Sequence, residues 1–154
     1  MKKIFLLLII ILILAVPAFA GTKEGALKFF DSYVNAANNY SNNLLDYYSP
    51  NAKIIRVVVR NDGTKGTANF AMKDYAYQMK IGAATAKIRK YKNYYTNRVA
   101  TKTSNGYKIT CKRQPTGENY KLNAYFVVSD ATGKWKIIEE MMETKVQAFD
   151  KYTK

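Results

Sequence analysis

The chain has 154 residues, with 25 Lys and Arg against 11 Asp and Glu, 13 Tyr, one Cys and no His. A single Cys excludes an intrachain disulfide, and one Cys without His excludes a Cys/His zinc site. The missing His also removes the side chain that most often serves as a general base near neutral pH.

The first element in chain order is a leader. Lys2 and Lys3 precede an unbroken apolar run of thirteen residues, Ile4 to Val16, and Ala18 and Ala20 set small side chains where a signal peptidase needs them. The run is shorter than the about 20 residues that cross a bilayer comfortably, and no Cys follows it to carry a lipid anchor. Residues 1–20 therefore read as a removable signal peptide and residues 21–154 as one domain, exported to the periplasm or secreted. Without the two leader lysines the charge balance is 23 against 11, a net charge of +12.

Thr22 can cap a helix, and Ala26, Phe29, Phe30, Tyr33, Val34 and Ala37 continue it at helical spacing. Ser41 opens a shorter second helix through Leu44, Leu45 and Tyr48, stopped by Ser49 and Pro50 and expected to lie antiparallel to the first. Lys53 to Arg60 is a β-branched strand, Asn61-Asp62-Gly63 a turn, and Thr67 to Phe70 a short strand. Met72, Tyr75, Ala76, Met79, Ala83 and Ala86 fit a third helix. From Ile88 the period becomes two: Tyr91, Asn93, Tyr95, Asn97 and Val99 share one face, and Lys92, Tyr94, Thr96 and Arg98 the other. Turns at Asn105-Gly106, Thr116-Gly117 and Thr132-Gly133 separate the strands Tyr107 to Arg113, Leu122 to Val128 and Trp135 to Met142. Val146, Phe149 and Tyr152 suggest a short amphipathic C-terminal turn. The sum is an α+β domain whose hairpin-linked antiparallel sheet buries one face under helices.

The segment Thr132-Gly133-Lys134-Trp135-Lys136-Ile137 resembles the Gly-x-Trp-x-Ile strand that recurs in the nuclear transport factor 2-like superfamily. The Ala26-Leu27-Lys28-Phe29-Phe30 start of the first helix and the stretch Leu44 to Ala52 are similar as well. The resemblance covers nearly all of residues 21–154 and implies a curved antiparallel sheet wrapped around the first helix, with a pocket at the wide end of the cone. It also implies no single function, because the fold hosts enzymes, carriers and assembly modules alike. Family enzymes often use His, Asp or Tyr inside the cone, and the absence of His counts against such chemistry here.

Candidate sites follow from the alternation. Trp135, Ile137, Glu139 and Met141 share a face of the last strand, which makes Glu139 the carboxylate expected to line the cone. Tyr33, Tyr95, Tyr107 and Trp135 are the aromatic candidates for the same lining. Arg56 and Arg60 share a face with Ile54 and Val58, either as a clamp for carboxylate or phosphate or as solvated charges, and the latter fits the more apolar opposite face. Cys111 alternates with Tyr107 and Ile109 and reads as a small buried hydrophobe. Between Lys80 and Lys121 eleven basic residues meet one acid, Glu118, so Lys90, Lys92, Arg98, Lys108 and Lys112 are candidates for a basic surface.

No motif calls for a cofactor or a metal. The expected partner is a small apolar or amphipathic molecule, or an envelope protein, bound at the cone mouth without catalysis. The alternatives are an acid-base enzyme of the isomerase, dehydratase or cyclase kind using Glu139 and tyrosines, and a basic module binding an anionic envelope surface. Export counts against nucleic acid, and a homodimer through the sheet stays open.

Overall fold

A computed structural model describes residues 21–154; the expected signal peptide at 1–20 lies outside the described residues. The first helix, α1 (Lys23–Asn38), starts as its sequence dictates: the Thr22 side chain accepts from the Gly25 N–H at 3.0 Å, and Glu24 sits in the first turn. Ala26, Phe30 and Tyr33, spaced four and three apart, form its buried stripe. In place of a second helix there is only a 3-10 turn, Leu44–Tyr47. Tyr48 already belongs to strand β1 (Tyr48–Val59), which runs through Pro50 because its pairing is irregular between Tyr48 and Lys53. Then come β2 (Lys65–Phe70), α2 (Met72–Ile88), β3 (Asn93–Thr103), β4 (Gly106–Pro115), β5 (Leu122–Ser129) and β6 (Lys136–Thr144), with a closing 3-10 segment, Gln147–Tyr152.

The strands form one sheet in the order β2-β1-β6-β5-β4-β3. Strands β3 to β6 make the hairpin meander, and every pair is antiparallel except β1 with β6, which is parallel. Helix α1 lies on the concave face, where Phe30 meets Phe126 at 4.8 Å and Tyr95 at 5.3 Å between ring centroids. At the N-terminal end of α1, Phe29 stacks on Trp135, which also meets Tyr107. At the far edge Phe149 and Tyr152 pack on Phe70, so the amphipathic C-terminal turn docks on β2.

Two β-bulges set the faces of this sheet. In β3 the register shifts between Thr96 and Val99, and Asn97 takes φ 54°, a conformation Asn tolerates better than most residues. Beyond it Arg98 and Ala100, rather than Asn97 and Val99, face α1, and Arg98 reaches Asp31 on that helix. In β6 the register shifts as well: Val128 pairs with Ile137 but Val127 with Glu139, which leaves Ile138 unpaired as the extra residue. Because the side-chain period is two, one extra residue exchanges the faces of everything beyond it.

Candidate functional site

The bulge at Ile138 decides which glutamate enters the cone. Ile137, Glu140 and Met142 are buried, whereas Glu139 is half-buried and belongs to the convex face. There it accepts a hydrogen bond from the Tyr125 hydroxyl at 2.6 Å, with Lys53 at 3.9 Å. The placement expected for Glu139 is thus corrected to Glu140, which is fully buried.

Glu140 forms the hub of a buried network. It accepts from Arg56 Nη2 at 2.6 Å, from the Tyr48 hydroxyl, and at 3.5 Å from the Tyr75 hydroxyl. Since Tyr48 spends its proton on Glu140, Tyr33 donates to Tyr48 across their 2.8 Å contact. Arg56 also donates to the Ile55 carbonyl and lies 5.0 Å from the centre of the Tyr75 ring. The expectation of a solvated Arg56 is corrected: it is a buried, carboxylate-paired arginine. Arg60, half-exposed at the end of β1, instead holds Asp150 at 2.8 Å and Thr153 at 3.1 Å, anchoring the C-terminal segment.

Burial raises the pKa of Tyr33, Tyr48 and Tyr95 well above the ordinary phenol value, and the charge of Glu140 adds to it. The same causes push Tyr75 up to about 12. Burial opposes the charge of Arg56, but the adjacent Glu140 more than offsets this and raises its pKa. These hydroxyls stay protonated at neutral pH and can donate hydrogen bonds, while Glu140 accepts from Arg56, Tyr48 and Tyr75.

Above this network opens a cavity of about 550 Å³, at the C-terminal end of α1. Its apolar wall comprises Ala37, Leu44, Leu45, Met79, Ala83 and Met142; Tyr33, Tyr75 and Tyr95 add aromatic area, and Arg56 and Arg113 reach its surface. Of the aromatic candidates, Tyr33 and Tyr95 therefore line the cavity. Tyr107 and Trp135 sit at the opposite end of α1, where the Tyr107 hydroxyl donates to the Gly21 carbonyl.

Sequence reasoning passed over Tyr48 and Tyr75, read as helix residues, and Arg113. The signal for Arg113 is present, because it continues the Tyr107, Ile109, Cys111 alternation of β4 as a cation on the buried face. Cys111 is buried, and burial pushes its thiol up to about 12.

The basic candidates lie on different elements. Lys108 and Lys112 lie on the convex face of β4, against the Tyr125 ring and Asn123. Lys90 and Lys92 sit in the connection after α2, and Arg98 is held by Asp31 against α1.

No protein-family model matches the chain, and no curated protein matches it in sequence. Solved structures do match in shape. An NTF2-like protein with a cystatin-like fold from Novosphingobium aromaticivorans aligns with TM-score 0.58 at 10% identity, over 78% of this chain and 79% of that one. An NTF2-like protein from Cytophaga hutchinsonii gives TM-score 0.55 at 11% identity, over 80% and 98% of the two chains. One of unknown function from Shewanella baltica gives 0.51 at 10% identity, over 77% and 90%. The likeness is one of fold.

Proposed function

We propose that this nuclear transport factor 2-like domain is an exported binding protein that holds an apolar or amphipathic small molecule in its cone without transforming it. One observation carries the reading: the cavity of about 550 Å³, within the size range of small-molecule sites and walled mainly by apolar and aromatic side chains. The leader-like start, Lys2 to Ala20, supports export.

Support for binding over catalysis comes from the state of the polar groups. A general base must be free to take a proton at working pH. The buried Glu140 already accepts from Arg56, Tyr48 and Tyr75, and Tyr33, Tyr75 and Tyr95 are held protonated. What reaches the cavity is a set of donors, suited to orienting a ligand. The basic-module reading gains less, because Arg98 is already paired with Asp31 and Lys108 lies over the Tyr125 ring.

The test is thermal shift and native mass spectrometry against a panel of lipids, sterols and aromatic metabolites, with product analysis of every binder. Saturable stabilisation with unchanged ligand is the expected result. Turnover abolished by Tyr75→Phe would replace the carrier with an enzyme. Retention on anionic vesicles with no small-molecule binding would replace it with an envelope module.

A further inference from the structure

The concave face carries two buried arginines in different electrostatic situations. Arg56 has Glu140 at 2.6 Å. Arg113, only 5% exposed, has no carboxylate within ion-pair distance among the described residues. Its nearest acidic residue offers only backbone: Nη2 donates to the Glu143 carbonyl at 2.6 Å. The Glu143 carboxylate turns away, to Lys65 at 2.6 Å and the Asn123 N–H at 2.8 Å. Nη1 donates to Asn93 Oδ1 at 2.8 Å and the Tyr91 hydroxyl at 3.3 Å, and Nε has no partner among the described residues. Of five guanidinium hydrogens, those of Nη1 are used and one of Nη2 is used, so one on Nη2 and the one on Nε remain.

A buried charge without a counter-charge is costly unless something supplies one. Arg113 lines the cavity, and so does Tyr40, whose buried hydroxyl also has no partner among the described residues. The two belong to one corner: Asn38 near the end of α1 exchanges hydrogen bonds with the backbone of Asn93, and Asn93 accepts from Arg113. Lys80, exposed on α2, adds a positive charge to the same lining.

We propose that the ligand of this cavity is a monocarboxylate with an apolar body, its carboxylate paired with Arg113. The proposal rests on the reading that the cavity holds a small molecule, and names its chemical class. The printed pairings place Arg56, Met142, Ala124 and Cys111 in one row across the sheet, and Arg113 lies two residues beyond Cys111. Three strand spacings of about 4.8 Å set the two backbones about 14 Å apart across the sheet, and from there the Arg113 guanidinium reaches back to the Glu143 carbonyl of β6. The headgroup therefore sits at the Arg113 guanidinium, between Asn93 at the start of β3 and Glu143 of β6, and the body extends over Tyr95 and Tyr33 towards Tyr75 and Met79.

The probes are decanoate and 2-naphthoate, each beside a neutral partner of the same shape, decanamide and 2-naphthamide, measured by calorimetry on the wild-type protein and Arg113→Gln. The wild type is expected to favour each carboxylate over its amide at least about tenfold, as charge-assisted pairing requires. Arg113→Gln should erase that preference, so that each acid and its amide bind within about twofold of one another. Equal affinity for acid and amide in the wild type overturns the carboxylate inference and leaves the binding cavity standing. Absence of binding by all four overturns both. A second readout needs no variant: carboxyl-13C decanoate is titrated with acid in the complex. Its pKa should fall at least about one unit below that of the free acid. An unshifted or raised value refutes the pairing even if Arg113→Gln does not fold.

Discussion

Glu139 and Glu140 are neighbours with opposite fates, and exchanging each for Gln tests the bulge that separates them. Glu140→Gln keeps the volume but leaves the Arg56 guanidinium buried without its counter-charge. Removing one partner of a buried pair costs about 3–5 kcal/mol, because the other charge stays desolvated. For a domain of this size each kcal/mol lowers Tm by roughly 3–5 °C, so the loss should be about 10–25 °C. Glu139→Gln gives up a long contact to the exposed Lys53 and part of the Tyr125 hydrogen bond, and should cost about 1 kcal/mol or less. Urea denaturation followed by circular dichroism, with Tm by calorimetry, measures both. Arg56→Met combined with Glu140→Leu removes both charges and should recover most of the loss. If Glu139→Gln costs as much as Glu140→Gln, the bulge is misplaced and the site built on it fails.

Two further outcomes concern the backbone and the buried phenols. A Cβ on Gly106, at φ 139°, would meet the Val128 carbonyl oxygen at 2.0 Å, whereas one on Gly133, at φ 78°, meets open space. Gly106→Ala should therefore pry β4 from β5 and destabilise by several kcal/mol, and Gly133→Ala by about 1–2 kcal/mol, the strain of a left-handed Ala alone. Equal Cm values for the two would refute this. Tyr33, Tyr48, Tyr75 and Tyr95 have folded pKa values above the unfolded one near 10. Their neutral forms support the fold fully below pH 10, and that support is lost as pH rises from there through the folded values, so unfolding should steepen between pH 10 and 12. Phenolate absorbance should show these four ionising together with loss of near-ultraviolet dichroism. Ionisation of every tyrosine with the fold intact would contradict their burial.

The parts of this fold that sequence disclosed are those governed by local rules. The Thr22 cap, the Ala26–Phe30–Tyr33 stripe and the glycine turns at Gly106, Gly117 and Gly133 depend on a few neighbouring residues. Tyr33 and Tyr95 fell on the cavity for the same reason: each continues an apolar face that has no interruption before it. The faces of Glu139 and Arg98 were misread because a bulge is a one-residue event with no compositional mark, yet it reverses everything beyond it. Arg56 reads as solvated from its own strand alone, because the face that buries it is identified by Glu140, 84 residues away in sequence. The expected second helix collapsed to one 3-10 turn because Tyr48, counted among its apolar residues, is drawn into β1 by its bonds to Tyr33 and Glu140.

Methionines provide the most direct test of the cavity as a binding site. Met79 and Met142 line it, whereas Met72 lies on a separate depression beside Lys73 and Lys136, and Met141 faces the other side of β6. In a methyl-13C-methionine spectrum titrated with decanoate, the resonances of Met79 and Met142 should move saturably while those of Met72 and Met141 stay in place. Shifts confined to Met72 or Met141, or a spectrum unchanged across decanoate, decanamide and the wider lipid panel, would contradict a ligand in the cone.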